Sequence, residues 1–227
     1  MAPIVTSEQI SEFREKGVTV LRGVFSDWVD LLRKGVDANM ADPDPNARIY
    51  TGKDGGGRFF VDYCNWTRIR EYKEFIFNSD AAAIGAELME SKQVQLFHEH
   101  VLVKEAATGV PTPWHQDAPY YCVDSAKTVS LWIPLDDVPR ETTPEFISGS
   151  HKWNKFYRPQ RFDGSALNEN DGLEDIPDIN GNRADFDILG WAVEPGDAIA
   201  FDYRTIHGAP ANAVSYTHLT LPTKVTV

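Results

Sequence analysis

The spacing of apolar residues changes along this chain near residue 93. Before that point apolar positions recur at helical spacing, and a capping box formed by Thr6 and Gln9 predicts the start of the first helix. Further helices are predicted within 66–89. Residues 41–57 are rich in Asp, Pro and Gly and predict a loop. The first part of the chain is therefore predicted to be mainly helical.

After residue 93 the pattern favours strands. The segment 94–104 is a long strand candidate, 129–135 alternates in side-chain character, and 192–201 is typical of a strand, a turn and a strand. Between them, 154–187 is polar and predicts a long surface excursion that covers a site. Helices followed by strands indicate an α+β chain with a mainly β core, either a sandwich or a barrel.

Composition indicates which partners and which cellular compartment to expect. The chain has 227 residues, of which 42% are hydrophobic and 25% charged, which is typical of a globular protein. Lys and Arg number 22 against 34 Asp and Glu, and this net charge of -12 argues against a nucleic-acid partner. No long apolar run predicts a membrane span, and no signal peptide is visible. Together with Cys64 and Cys122, which fit no zinc spacing and are interpreted as reduced thiols, this predicts a cytoplasmic protein without a membrane partner.

The strongest local signal for chemistry lies at 112–117. His115 and Asp117 are two residues apart, so on an extended segment both side chains share one face. A further histidine, His207, lies far downstream. Two histidines and one carboxylate form the facial triad of non-haem Fe(II) oxygenases. The pair alone is a weak signal, because two hydrogen-bonded polar residues at a strand end would give the same spacing.

Four motifs give the chain a resemblance to a known family. They are TPWHQDAPYY at 112–121, VSLWIPLD at 129–136, SGSH at 148–151 and EPGD at 194–197. With these motifs, the region from about residue 7 to residue 212 resembles the phytanoyl-CoA dioxygenase family of Fe(II)- and 2-oxoglutarate-dependent oxygenases.

The resemblance carries expectations about fold and chemistry. It implies a double-stranded β-helix, also called a jelly roll and similar to the cupins, buttressed by the N-terminal helices. It implies that His115, Asp117 and His207 are the iron ligands. The expected cofactors are Fe(II) and 2-oxoglutarate. The expected reaction is hydroxylation of a small-molecule substrate by O2, with release of succinate and CO2.

Further site residues are predicted, partly from the resemblance and partly from the residues themselves, each with an alternative. Lys104 stands where the family often places a lysine that reaches a carboxylate, but a solvated lysine at a strand end fits equally well. Trp132 resembles a family tryptophan beside the cosubstrate, and a core tryptophan would fit its setting too. His98 and His100 share a strand face with Lys104 and are expected to line the substrate pocket rather than to form a second metal pair. Tyr120 and Tyr121 are expected to form apolar walls of the pocket, with core packing as the alternative.

The C-terminal tail departs from the family. Members carry an arginine about eleven residues after the distal histidine, where it binds the far carboxylate of 2-oxoglutarate, and that position here is His218. We therefore expect one oxygenase-like domain over 1–213, with a helical buttress at 1–92 and a jelly-roll core at 93–213. The tail 214–227 is then atypical and fits a truncated or frame-shifted coding sequence.

The missing arginine also fits a native tail in two ways. His218 or Lys224 could act as a weaker cosubstrate cation, because an Arg–carboxylate pair is strong but a different cation can replace it in part. Alternatively, the chain is a cupin-like metal enzyme, such as an isomerase, a lyase or a dioxygenase, that does not use 2-oxoglutarate.

Overall fold

The structure is a computed structural model of the chain. It describes residues 3–51, 56–123, 125–162, 165, 167–168, 172–212, 218–220 and 223–226, the last two segments as backbone only.

Four α-helices and twelve β-strands form the described fold. The helices are α1 (Ser7–Lys16), α2 (Val29–Ala41), α3 (Arg70–Asn78) and α4 (Ala81–Leu88). The strands are β1 (Val18–Leu21), β2 (Arg48–Thr51), β3 (Arg58–Tyr63), β4 (Gln95–Lys104), β5 (Thr112–His115), β6 (Thr128–Trp132), β7 (Glu145–Ile147), β8 (Ile188–Leu189), β9 (Ala198–Phe201), β10 (His207–Ala209), β11 (His218–Thr220) and β12 (Thr223–Thr226).

The strands form two sheets. The larger sheet has the order β1-β9-β6-β12-β4-β3-β2, and β11 pairs with β4 beside that path. The smaller sheet has the order β5-β10-β7-β8. All of these pairs are antiparallel, and the two sheets form the expected jelly roll.

The helices cover one face of the larger sheet. Phe60 of β3 and Val101 of β4 belong to an apolar core that also contains Tyr72 and Phe75 of α3 and Leu32 of α2. All five side chains are almost fully removed from water. Burial of an apolar side chain of this size is worth roughly 1.5–3 kcal/mol, so this layer holds the helices against the sheet.

The predicted first helix is confirmed in detail. The Thr6 hydroxyl accepts a hydrogen bond from the Gln9 amide N–H, and the Gln9 side chain accepts one from the Thr6 N–H. The helix ends at Lys16 and is capped by Gly17, whose φ of 79° lies in the left-handed region that favours glycine. The capping box therefore begins the helix where the sequence places it.

The predicted loop over 41–57 is wrong at 48–51. These residues form β2, which pairs with β3 in the larger sheet. Three of the four β2 residues are exposed, so no buried alternation marks the strand in the sequence. The first 92 residues thus contribute three strands to the fold in addition to the helices.

The tail contributes backbone to the larger sheet. β12 pairs with both β4 and β6, while β11 pairs with β4 at His218↔Lys104. β12 therefore connects the half of the sheet that contains β6 to the half that contains β4.

Among the helices of the described residues, none combines the length and apolar character that crossing a bilayer requires.

Candidate metal centre and its cavity

The three predicted ligands meet because of strand pairing in the smaller sheet. His115 ends β5, His207 begins β10, and the two residues lie directly opposite each other in the antiparallel register. Opposed residues have Cβ atoms about 5 Å apart. The imidazole ring centroids accordingly lie 4.1 Å apart. Asp117 follows β5 by two residues, so one strand pair gathers the whole set.

The backbone sets the orientation of both imidazoles. Nδ1 of His115 lies 2.8 Å from the Pro113 carbonyl oxygen, and Nδ1 of His207 lies 2.9 Å from the Thr205 carbonyl oxygen. A proton on each Nδ1 satisfies these contacts and leaves Nε2 as the unprotonated nitrogen. Both rings are therefore in the tautomer that can ligate a metal through Nε2.

The carboxylate of Asp117 is buried and also oriented. Its Oδ2 accepts a hydrogen bond from the Ser130 hydroxyl at 3.1 Å, and its Oδ1 accepts one from the Tyr121 hydroxyl at 3.5 Å. Burial, together with the Asp117 charge, raises the pKa of Tyr121 well above its usual value, so this phenol keeps the proton that it donates. Oδ1 of Asp117 lies 3.8 Å from Nε2 of His115.

The donor set fits a divalent transition metal. One ligand atom from each of His115, Asp117 and His207 lies within 4.8 Å of the other two. Among the described residues, this is the one group of three or more His, Cys, Asp or Glu side chains with such geometry. Two neutral nitrogens and one carboxylate oxygen suit Fe(II) and leave coordination positions for other molecules.

The triad opens onto a cavity of about 600 Å³. The predicted cosubstrate residues Lys104 and Trp132 line this cavity, together with the predicted substrate-pocket residues His98, His100, Tyr120 and Tyr121. The structure therefore brings every predicted site residue with a described side chain to one cavity.

Lys104 lies in the cavity wall rather than at a solvated strand end. Its Nζ donates a hydrogen bond to the Pro210 carbonyl at 3.1 Å and lies 5.1 Å from the centroid of the Phe59 ring. Loss of hydration lowers the pKa of Lys104 to about 7. A cation in such surroundings gains from an anionic partner, which would restore its charge.

Trp132 lies between the cavity and the core. Its side chain lines the cavity and also packs in an apolar cluster with Phe146, Ile199 and Phe201. This tryptophan is 8% exposed, so most of its surface packs against other residues.

His98 and His100 lie on the wall outside the metal group. Their ring centroids are 6.2 Å apart, and the Tyr63 ring lies within 6.2 Å of His98 and 5.7 Å of His100. Tyr121 packs edge-on against His98 at 5.2 Å. His98 and His100, with the tyrosines packed against them, form an aromatic surface with polar edges beside the triad.

Tyr120 links the polar segment 154–187 to the cavity wall. Its hydroxyl donates to the Gln160 carbonyl at 2.5 Å and accepts from the Gln160 N–H at 2.7 Å. Burial raises the pKa of Tyr120 to about 12, so the hydroxyl remains a donor. The predicted cover over 154–187 thus reaches the site through this contact.

The predicted cation at His218 lies partly outside the described residues. Its backbone pairs with Lys104, but its side chain and that of Lys224 are not described. Arg204, the last arginine of the chain, is bound to Asp202 at 3.0 Å and does not line the cavity. The backbone pairing places Lys104 opposite the predicted position, and the Lys104 side chain lines the cavity.

Sequence reasoning missed the wall formed by β2 and β3. Arg48 and Tyr50 of β2 and Phe59 of β3 line the cavity, as does Phe162 of the segment 154–187. A signal existed at 58–63, where the sequence RFFVDY is rich in residues that favour strands. β2 carries a shorter signal of the same kind in Ile49, Tyr50 and Thr51, but it lies inside a segment whose Asp, Pro and Gly residues predict a loop.

The fold and the donor set define a jelly-roll protein with a metal centre of two histidines and one carboxylate. The model of the phytanoyl-CoA dioxygenase (PhyH) family matches residues 13–215, and the chain belongs to this family. A search of curated proteins gave no significant match.

Three solved structures illustrate the shared fold. The non-heme alpha ketoglutarate dependent carbocyclase SnoK from nogalamycin biosynthesis has a TM-score of 0.77 at 19% identity, over 97% of this chain and 83% of that one. The epimerase SnoN, in complex with Fe3+, alpha ketoglutarate and nogalamycin RO, has a TM-score of 0.78 at 19% identity, over 96% and 82%. EctD from S. alaskensis, with 2-oxoglutarate and 5-hydroxyectoine, has a TM-score of 0.76 at 18% identity, over 100% and 77%. At these identities the likeness is one of fold.

Proposed function

We propose that the chain is an Fe(II)- and 2-oxoglutarate-dependent oxygenase that hydroxylates a small molecule. The balanced reaction consumes one substrate C–H group, 2-oxoglutarate and O2, and gives the C–OH product, succinate and CO2. The observation that carries the proposal is the triad. Both histidines present Nε2 beside a hydrogen-bonded carboxylate at the wall of a cavity large enough for two small molecules.

The residues divide the work in a simple way. His115, Asp117 and His207 would hold Fe(II), and the iron supplies the activation of O2 that amino-acid side chains cannot perform. Ser130 and Tyr121 keep the Asp117 carboxylate in place by donating hydrogen bonds. Fixing ligand orientation in this way typically matters 10–100-fold for metal affinity.

Lys104 is proposed to bind the far carboxylate of 2-oxoglutarate. It is a cation of the cavity wall, and its lowered pKa indicates that its present surroundings do not compensate its charge. Trp132 would form the apolar side of the same subsite. Because the backbone of His218 pairs with that of Lys104, the proposal also places the tail beside this subsite.

An anaerobic titration tests the proposal. Fe(II) and then 2-oxoglutarate are added to the purified chain, and the visible charge-transfer band of the chelate is followed. We expect a saturable band in the native chain. We expect no metal binding and no band in His115→Ala, while the matched variant His98→Ala, a cavity histidine outside the triad, keeps both.

Two results would change the proposal. Unchanged Fe(II) affinity in His115→Ala would mean that the triad is not the metal site. Metal binding without the band would instead favour a cupin-like metal enzyme that does not use 2-oxoglutarate. That second function draws support from Arg204, which is held by Asp202 and cannot replace the family arginine.

A further inference from the structure

The cavity has a charge opposite to that of the chain. The whole sequence carries a net charge of -12. Among the described residues that line the cavity, the cations are Arg48, Lys104 and Arg161, and the one acid is the metal-ligand candidate Asp117. The negative charge of the whole protein disfavours the approach of anions. The positive charge of the cavity wall opposes this effect locally, which indicates a preference for anions inside the cavity.

Arg48 differs from the other arginines near it in its surroundings. Arg58 is bound to Glu105 at its strand end, and Arg68 lies 3.4 Å from Asp42. The charged or polar groups that act on Arg48 within the described part of the chain are the side chains of Tyr50 and Tyr63, and they raise the pKa of its guanidinium. No described carboxylate acts on it, although its side chain lines the cavity.

Arg48 and Lys104 are held at separate places on the cavity wall. Arg48 lies opposite Val61 of β3, and Val61 lies opposite Leu102 of β4. Lys104 follows Leu102 by two residues, so Arg48 and Lys104 are separated by two interstrand spacings and by two residues along the strand. With strands about 4.8 Å apart and residues about 3.4 Å apart along a strand, their Cα atoms are about 12 Å apart. Lys104 is bound towards Pro210 after β10, whereas Arg48 contacts Tyr50 on its own edge strand.

The surface beside Arg48 is aromatic. The Phe162 ring packs edge-on against Tyr50 at 5.3 Å and against Phe59 at 4.8 Å. Such a cluster offers ring faces and edges to a flat apolar ligand. The polar excursion supplies Phe162, so the same segment would cover that ligand.

We propose that Arg48 binds the anionic group, a carboxylate or a phosphate, of a primary substrate with an aromatic or flat apolar body. This inference rests on the proposed function, because it assigns Lys104 to 2-oxoglutarate and Arg48 to the second molecule. The planar guanidinium matches both anions in two-pronged geometry. Tyr50, Phe59 and Phe162 would contact the body of the substrate.

Matched probes test this assignment by equilibrium binding, followed by ligand-observed NMR. The probes are 3-phenylpropionate, its neutral amide 3-phenylpropionamide, and phenyl phosphate. We expect the native chain to bind at least one of the anions tenfold or more tightly than the amide, and the preferred anion distinguishes carboxylate from phosphate. Arg48→Gln should reduce that preference to about twofold or less, and Arg48→Lys should retain part of it. The control Arg70→Gln removes an arginine that is 86% exposed outside the cavity and should change nothing.

The result is separable from the test of the proposed function. Probe binding is measured with and without Fe(II) and 2-oxoglutarate, so it can succeed in a chain that binds no cosubstrate. We expect Arg48→Gln to leave the affinity for 2-oxoglutarate within twofold of the native value. Equal binding of anion and amide by the native chain, an unchanged preference in Arg48→Gln, or no binding of any probe would each overturn the proposal.

Discussion

The two faces of the strand pair β3 and β4 differ in composition and in what they contact. One face presents Phe60, Val101 and Val103 to the helices, and these side chains are at most 5% exposed. The other face presents Phe59, Val61, Tyr63, His98, His100, Leu102 and Lys104 to the cavity. The alternation of side chains along one strand pair thus separates the packed core from the cavity wall.

The largest expected effect comes from the face that packs against the helices. Phe60→Ala should lower the free energy of unfolding by about 3–5 kcal/mol, because it leaves a void in a filled core. Phe59→Ala, one residue away, borders a cavity that already exists, so we expect a smaller loss. Urea denaturation of both variants measures the difference.

The same pair should reverse its order in binding. Phe59 contacts Lys104, so Phe59→Ala should change the affinity for 2-oxoglutarate more than Phe60→Ala does. If the two variants lose equal stability and equal affinity, the separation of the two faces is wrong.

A smaller effect is expected from Glu99, an ionisable group buried on the helix side. Burial raises the pKa of Glu99 to about 7 from an ordinary 4.5, despite backbone hydrogen bonds to its carboxylate. The folded chain then holds this proton more tightly than the unfolded chain, so stability falls as pH rises from about 4.5 to about 7. The contribution is at most about 3 kcal/mol.

Glu99→Gln should remove that part of the pH dependence. We expect unfolding free energies, measured in urea at several pH values, to fall less steeply in the variant than in the native chain across this window. Parallel curves for the two proteins would show that Glu99 is ionised throughout or equally accessible in both states.

The smallest effect is expected from Lys104 on the cavity side, and it concerns binding. Because the pKa of Lys104 is about 7 in the free chain, a bound carboxylate favours the protonated form. Affinity for 2-oxoglutarate should therefore fall by about tenfold for each pH unit above 7, which corresponds to about 1.4 kcal/mol per unit. Below pH 7 it should level off.

Lys104→Met should weaken binding at pH 6.5 and abolish this pH dependence. The control Lys152→Met removes a lysine that binds Glu15 on the surface and lies outside the cavity. Charge-transfer titrations at pH 6 to 9 give the affinities. A native chain whose affinity does not change with pH would argue against Lys104 as the cosubstrate cation.

Local signals predicted well those parts of the molecule that depend on local structure. The cap of α1, the strand β4 and the spacing of His115 and Asp117 each follow from a few neighbouring residues. The match of His207 to the set came from family resemblance, and the structure explains it by the register that places His207 opposite His115.

The rest of the site depends on pairing between distant segments. β2 is exposed for most of its length and pairs with β3, so no local signal indicated that Arg48 lines the cavity. The contact of Tyr120 with Gln160 likewise joins a family-like motif to a polar excursion without periodicity. Such placements follow from the three-dimensional arrangement and not from residue spacing.

The position of β12 has a consequence for how the protein is made. β12 lies between β4 and β6, so the two halves of the larger sheet cannot join until residues 223–226 have left the ribosome. Until then, β4 and β6 each expose an unpaired edge, and such edges invite association with other chains. Pairing through contacts far apart in sequence is also slow. We therefore expect nascent chains in which β12 has not yet been synthesised to depend on chaperones until β12 pairs with β4 and β6.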